Sequence, residues 1–218
     1  MSRTTPFLSP PPSPANEGRL REKLAAFFLA VPAPDRQTPR EREDYRRAAA
    51  ALSELELCAA LQSAGLSRTL RYGDLCSLLR STLEAAAQRL RDNGTKVDLN
   101  CSDDPVCLSA EPRLAQLATL RLLKAAAATG GPVHAALRKR ENGIHLSVSS
   151  PRPFADQRLL ALARETARLH GGRALVGGSA VALSFHRDAG PAAGLFAAPD
   201  AADLLRGPLS PVNIELPR

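Results

Sequence analysis

The sequence has no tryptophan, one methionine, two tyrosines and six phenylalanines, and none of its four histidines (His134, His145, His170, His186) precedes residue 134. Its four cysteines, Cys58, Cys76, Cys101 and Cys107, are too few and too scattered for a disulfide-dense secreted scaffold, and no pair has the CxxC spacing of a metal knuckle. That usage fits a reducing cytoplasm. The longest apolar run, residues 24–33, is about half of the roughly 20 residues that cross a bilayer, so no membrane span is expected. Residues 1–15 carry one Arg and five Pro without an apolar stretch ending at a small-residue cleavage site, so they do not read as a secretory signal and a disordered arm is expected over residues 1–16.

What is present is a chain of 218 residues, 44% of them hydrophobic, long enough for one or two domains with a real core. The net charge of +7 raises the question of nucleic acid, but Lys occurs only at 23, 96, 124 and 139, and the arginines alternate with acids instead of forming a stripe. A basic nucleic-acid-binding protein is therefore the most distant reading.

Apolar spacing of three and four residues predicts a helix over 17–31 through Leu20, Leu24, Phe27, Phe28 and Val31, stopped by Pro32 and Pro34. A second helix over 40–64 carries a heptad-like seam of Tyr45, Ala48, Leu52, Leu55, Ala59 and Gln62. A hairpin of single-seam helices over 17–66 buries both faces against a copy of itself or against its own downstream domain, and dimerisation is the expectation. Beyond the Gly65 break, a helix starts after the N-cap residue Asp74 and closes at Asn93-Gly94. Val97, Leu99 and Cys101 alternate as a strand, Ser102 to Pro105 read as a turn, and Val106 and Leu108 begin another extended piece.

Residues 111–129 form a helix buried on most sides, ended by Gly130-Gly131. Val133, Ala135 and Leu137, then Ile144, Leu146 and Val148, make a hairpin joined at Glu141-Asn142-Gly143. A helix over 155–170 stops at Gly171-Gly172, and a second hairpin crosses Gly177-Gly178. The order predicts an α+β sandwich with a mixed, mostly antiparallel sheet. The Ala-, Pro- and Gly-rich tail, residues 189–218, is expected to be disordered apart from a helical turn at 201–205 and a strand at 212–216.

Taken in order, these elements resemble the catalytic core of a sensor histidine kinase, a helical dimerisation hairpin followed by an HSP90-like ATPase domain of the GHKL type. The resemblance runs from about Arg19 to Arg187, with residues 72–188 as the ATPase-like domain. Tyr72-Gly-Asp-Leu-Cys-Ser-Leu-Leu79 is similar to the start of that domain, Asp104 to Gln116 to the strand and turn before its nucleotide helix, and Ala163-Arg-Glu-Thr-Ala-Arg-Leu-His-Gly-Gly172 to the helix preceding its last hairpin. The family implies ATP and Mg²⁺ as cofactors, a phosphoacceptor His on the first helix, and a response regulator or another kinase as partner.

The same resemblance marks departures at every chemical position. Ala125 stands where an Asn holds Mg²⁺, and a methyl group offers no oxygen to a hard cation. Ser149, Ser150 and Arg152, in Val148-Ser-Ser-Pro-Arg-Pro-Phe154, replace the Asp-x-Gly-x-Gly that anchors adenine. Asp156-Gln-Arg-Leu-Leu160 stands where a glycine-rich loop would cradle phosphates. No catalytic, nucleotide-binding or metal residue is assigned.

Elsewhere the structural readings outweigh the chemical ones. His170, before two glycines, is a helix-terminal residue favoured by the helix dipole, and the remaining histidines sit in strands without ligand partners. Asp103-Asp104 are turn residues, Arg138-Lys139-Arg140 flank a solvated hairpin, and Cys101 and Cys107, on adjacent extended segments, read as buried small hydrophobes before they read as a pair. The expected protein is a cytoplasmic, dimeric, histidine-kinase-like module without catalysis that acts by protein interaction. The alternative is a divergent active kinase contacting phosphate through Lys124 or Arg152.

Overall fold

The computed structural model of the chain describes residues 36–62, 70–187, 189–207 and 209–217, together with residues 19, 22–24, 26–28 and 30, which are helical. The expected arm over 1–16 and the Gly65 break lie outside the described residues. The named elements are α1 (Pro39–Gln62), β1 (Arg71–Asp74), α2 (Leu75–Asp92), β2 (Val97–Cys101), β3 (Cys107–Ala110), α3 (Pro112–Ala127), β4 (Val133–Arg140), β5 (Gly143–Ser149), α4 (Gln157–Leu169), β6 (Ala174–Gly177), β7 (Ala180–His186), α5 (Ala201–Arg206) and α6 (Pro211–Glu215).

A five-stranded sheet in the order β2-β4-β5-β7-β6 carries one parallel pair, β2 with β4, and is otherwise antiparallel. Its alternating residues Val133, Ala135, Leu137, Ile144, Leu146, Val148, Val181, Leu183 and Phe185 are buried against α2, α3 and α4. The helices take their ends from local sequence. Asp74 accepts from the Ser77 N–H at 3.1 Å and from the Val106 N–H at 3.0 Å, so one carboxylate caps α2 and fastens the start of β3. Burial works against that charge, yet the hydrogen bonds from Ser77 and Val106 outweigh it and hold the carboxyl below its ordinary pKa. Glu111 caps α3 through the Leu114 N–H, and Asp156 caps α4 through the N–H groups of Arg158 and Leu159.

Several sequence expectations shift. The first hairpin loop is Glu141-Asn142, and Gly143 is already paired in β5, with Arg140 on one side and His186 on the other. A Cβ there would sit 1.9 Å from the Phe185 carbonyl oxygen, so this glycine serves strand approach as well as the turn. β1 was not expected at all. It pairs with β3 in a separate two-stranded ribbon, and its outer edge takes residues 194–196 through Tyr72 N–H to Gly194 O at 2.7 Å and Phe196 N–H to Tyr72 O at 3.1 Å.

The tail corrects the sequence reading most. Residues 189–217 are largely ordered on the body, and the strand expected at 212–216 is the helix α6, started by the Ser210 N-cap and Pro211. The alternation of Val212, Ile214 and Leu216 was misleading because the segment is enclosed on more than one side, by α1, α2, α3 and α5. Leu204, Val212 and Leu216 join the main core, while Ile214 belongs to a second cluster with Phe28, Ala49 and Leu52. Helix α1 is covered within its own chain by α6 and α4, burying Ala49, Leu52, Ser53 and Leu57 and leaving the seam residues Tyr45, Ala48, Leu55 and Ala59 half-buried. No described helix is long and apolar enough to cross a membrane.

Candidate functional site

Helix α3 presents Arg121, Lys124 and Ala125, and its C-cap residue Ala128, at helical spacing toward α4 and α1. With Leu57, Asp156, Leu159 and Leu162 they line a cleft of about 180 Å³. Ala125, where the resemblance places a metal-binding Asn, therefore lies in a cleft between helices whose lining is cationic or apolar apart from Asp156.

Across this cleft runs a charge network. Arg121 donates to Glu54 at 3.0 Å and to the Ser53 carbonyl oxygen at 2.6 Å, and its Nε lies 2.8 Å from Glu215 Oε2. Arg158, on the first turn of α4, reaches the other oxygen of Glu54 at 3.1 Å. Arg113, near the start of α3, pairs with Glu56. Glu215 is fully buried, accepts from the Ser53 hydroxyl at 2.9 Å and lies 3.7 Å from Lys124 Nζ, while its Oε1 has no hydrogen-bond donor among the described residues. Burial pushes the Glu215 carboxyl above its usual pKa, and Arg121, Lys124 and Ser53 offset only part of that rise. Three elements distant in sequence, α1, α3 and α6, thus meet at one carboxylate.

Of the other departures, Asp156 and Leu159 line the cleft, whereas Ser149, Ser150 and Arg152 do not. Ser149 ends β5, paired with His134 and Ala180. Ser150 is buried, with its N–H on Ser179 O at 2.9 Å and its hydroxyl on Arg152 O at 2.6 Å, so the Ser-Ser-Pro-Arg segment closes on itself. The exposed Arg152 side chain does not line the cleft. At the start of α4 the Asp156 carboxylate already takes the N–H groups of Arg158 and Leu159, donors that would otherwise face an anion.

The remaining residues singled out in the sequence are dispersed. His170 is buried and caps the end of α4, but not as a cation facing a dipole. Its Nδ1 lies 2.6 Å from Thr166 O and its Nε2 accepts the Glu111 N–H at 3.0 Å, the pattern of a neutral imidazole stacked edge-on to Phe185. His134 pairs with Asp98 at 3.3 Å on the surface, His145 is held below its ordinary pKa by burial and then by Arg140 and Arg138, and His186 lies in β7.

Cys101 and Cys107 belong to different sheets, and the exposure of Cys107 at the start of β3 corrects the expectation that it is a buried small hydrophobe. Burial pushes the Cys101 thiol up to about 11 and raises that of Cys76, so neither is a ready nucleophile, and Cys107 is exposed. Asp103 and Asp104 pair with Arg80 and Lys139. Arg138, Lys139 and Arg140 line a wider open basin of about 580 Å³ with Asn100, Cys101 and Asp104, away from the cleft. Sequence reasoning missed Glu54, Arg121 and Glu215, and the one signal available was an acidic residue amid the apolar positions of 212–216.

No protein-family model and no curated protein matches the sequence. Solved structures match in shape. The histidine kinase AdeS of Acinetobacter baumannii superposes at 15% identity over 78% of this chain and 94% of its own, with a TM-score of 0.52. A histidine kinase from Burkholderia phymatum matches at 14% identity over 79% of this chain and 98% of its own, TM-score 0.48. ThkA in complex with the response regulator TrrA matches at 15% identity over 80% of this chain and 60% of that one, TM-score 0.49. The AdeS match shows the fold: this chain has the α+β architecture of a histidine kinase core.

Proposed function

We propose that this chain is a histidine-kinase-like signalling module that binds no nucleotide and transfers no phosphoryl group, and that acts by binding other proteins: a second copy of itself, a response regulator or a partner kinase. The observation carrying this reading is helix α1, held across the α3–α4 face by Glu54 between Arg121 and Arg158. The cleft left beneath it, about 180 Å³, is smaller than the roughly 300–1,000 Å³ of small-molecule sites. The groups around it do not fit Mg²⁺ and ATP. Ala125 offers a methyl where the cation needs oxygen, and Asp156 places a carboxylate at the helix end where phosphates would need bare N–H groups. The cation nearest the cleft with a phosphate role in the alternative reading, Lys124, faces Glu215.

Isothermal titration of the full chain with Mg-ATP tests this. No binding heat is expected up to millimolar nucleotide, and no label transfer is expected from radiolabelled ATP. Micromolar binding would overturn the proposal and favour the divergent kinase.

A further inference from the structure

The α3–α4 face is basic at its rim and apolar at its floor. Arg113, Arg121, Lys124 and Arg158 surround it, against Asp156 and Glu215, and Leu159, Leu162, Ala125 and Ala128 form the floor. Its occupant in this chain is α1, which meets it with a short stretch of complementary chemistry. Glu54 spans Arg121 and Arg158 with one oxygen to each, Glu56 pairs with Arg113, and Leu57 lines the cleft while 2% exposed. Cys58 accepts a further contact from Arg158 at 3.5 Å.

The two kinds of contact differ in strength. Both side chains of the Glu54–Arg158 pair are more than half exposed, at 51% and 59%, so that pair is hydrated and contributes at most ~1 kcal/mol, whereas Arg121 and Glu56 are largely covered. Rim pairs of this kind select a partner by sign more than they hold it. The face therefore reads the chemistry of what covers it, and α1 satisfies that chemistry from within the same chain.

We infer that the α3–α4 face is a docking groove for an acidic amphipathic helix, filled in cis by α1 and open to a partner helix that carries the same Glu-x-Glu-Leu pattern as residues 54–57. This rests on the reading of the chain as an interaction module, since the groove occupies the face a nucleotide would need. A partner helix competes with α1, and its acids replace Glu54 and Glu56 on Arg121, Arg158 and Arg113. The sign of the rim makes a basic helix a poor occupant.

The test uses the full chain and a labelled synthetic peptide of residues 45–60 as probe. The Glu54→Gln/Glu56→Gln chain loosens the cis helix while leaving every groove residue intact, so the peptide should bind it about fivefold more tightly than it binds the unaltered chain, from the loss of three rim pairs. A peptide with Gln at 54 and 56 should bind more weakly than the one with Glu, and adding Arg113→Gln and Arg158→Gln to the chain should shrink the difference to the part that Arg121 reads. Hydrogen exchange supplies the second measurement: the acidic peptide should speed exchange in residues 39–59 while β4 and β5 keep their protection. Equal binding of the two peptides, or binding of neither, would overturn the inference. Those outcomes leave the Mg-ATP titration untouched, so failure of the groove and failure of the non-catalytic reading are separate results.

Discussion

The two hydrophobic clusters of this chain are built on different terms. The larger one lies between the sheet and α2, α3 and α4 and is lined almost wholly by aliphatic side chains, among them Leu83, Leu120, Leu122, Leu146 and Leu183, all at 0% exposure. The smaller one, Phe28, Ala49, Leu52 and Ile214, with Tyr45 edge-on to Phe28, joins α1 to α6 and is bordered by Ser53, Glu54, Arg121 and Glu215. The first gains from area removed from water, a non-directional effect that tolerates small shifts. The second depends on a buried carboxylate whose desolvation opposes its pairing, and such contacts specify position more than they stabilise. The sandwich, which α6 joins through Val212 and Leu216, is thus the stable part, and α1 with the face of α6 that carries Ile214 and Glu215 is expected to open at lower cost.

The widest separation between the two should come from truncating each. Leu120→Ala in the main core should cost about 3–5 kcal/mol and lower the urea midpoint of the whole transition, because no neighbour can collapse into a site packed on all sides. Leu52→Ala in the smaller cluster should cost less, about 1–2 kcal/mol, in a looser site. It should also act locally, speeding amide exchange in α1 and α6 while the sheet amides stay protected. If Leu52→Ala unfolded the chain in one step with the sheet, the division into two units would be wrong.

The second comparison sits within the seam itself. Arg121→Ala leaves Glu215 buried with only Lys124, at 3.7 Å, and Ser53. Removing one member of a buried pair typically costs ~3–5 kcal/mol, and the remaining partners should reduce that here to about 2 kcal/mol. The loss should appear as exchange in α1 and α6, and it should shrink at acidic pH, where Glu215 takes up a proton and no longer needs a cation. An Arg121→Ala loss that is the same at every pH would show that the arginine acts through packing and its bond to the Ser53 carbonyl.

The difference between the regions also explains what the sequence revealed. The sandwich was legible because each element carries its own period and punctuation: Asp74 before α2, Asn93-Gly94 after it, alternation in β4 and β5, Gly171-Gly172 after α4. Within that frame Ala125 falls on the face of α3 that lines the cleft. The seam was not legible, because its determinants are pairwise and distant. Ser53 and Glu215 are 162 positions apart, and Arg121 and Glu54 are 67 apart. Nothing local distinguishes Glu54 from the solvated acids beside it, and a heptad pattern in α1 is satisfied equally by a second copy or by α6. The tail was misjudged for the related reason that Ala, Pro and Gly composition is silent about Val212, Ile214 and Leu216 finding a prepared surface.

The smallest expected effect is the most diagnostic, because its sign follows from which force wins at Glu215. Burial raises its folded-state pKa above the ordinary value of 4.5, so between those two values the folded chain binds more protons than the unfolded one. The stabilisation that this carboxyl contributes is then fully present below about pH 4.5 and is lost as pH rises through the raised folded value. Glu215→Gln keeps the shape and an acceptor for the Ser53 hydroxyl but fixes the group in its neutral form. At neutral pH the substitution should change seam stability by less than about 1 kcal/mol, since replacing a buried charge often costs little, and it should flatten the pH dependence of α6 exchange between pH 4 and 7. If the substitution instead loosened α6 strongly at pH 7 and left it unaltered at pH 4, the attraction of Arg121 and Lys124 would outweigh burial, and the seam would be held together by its charges.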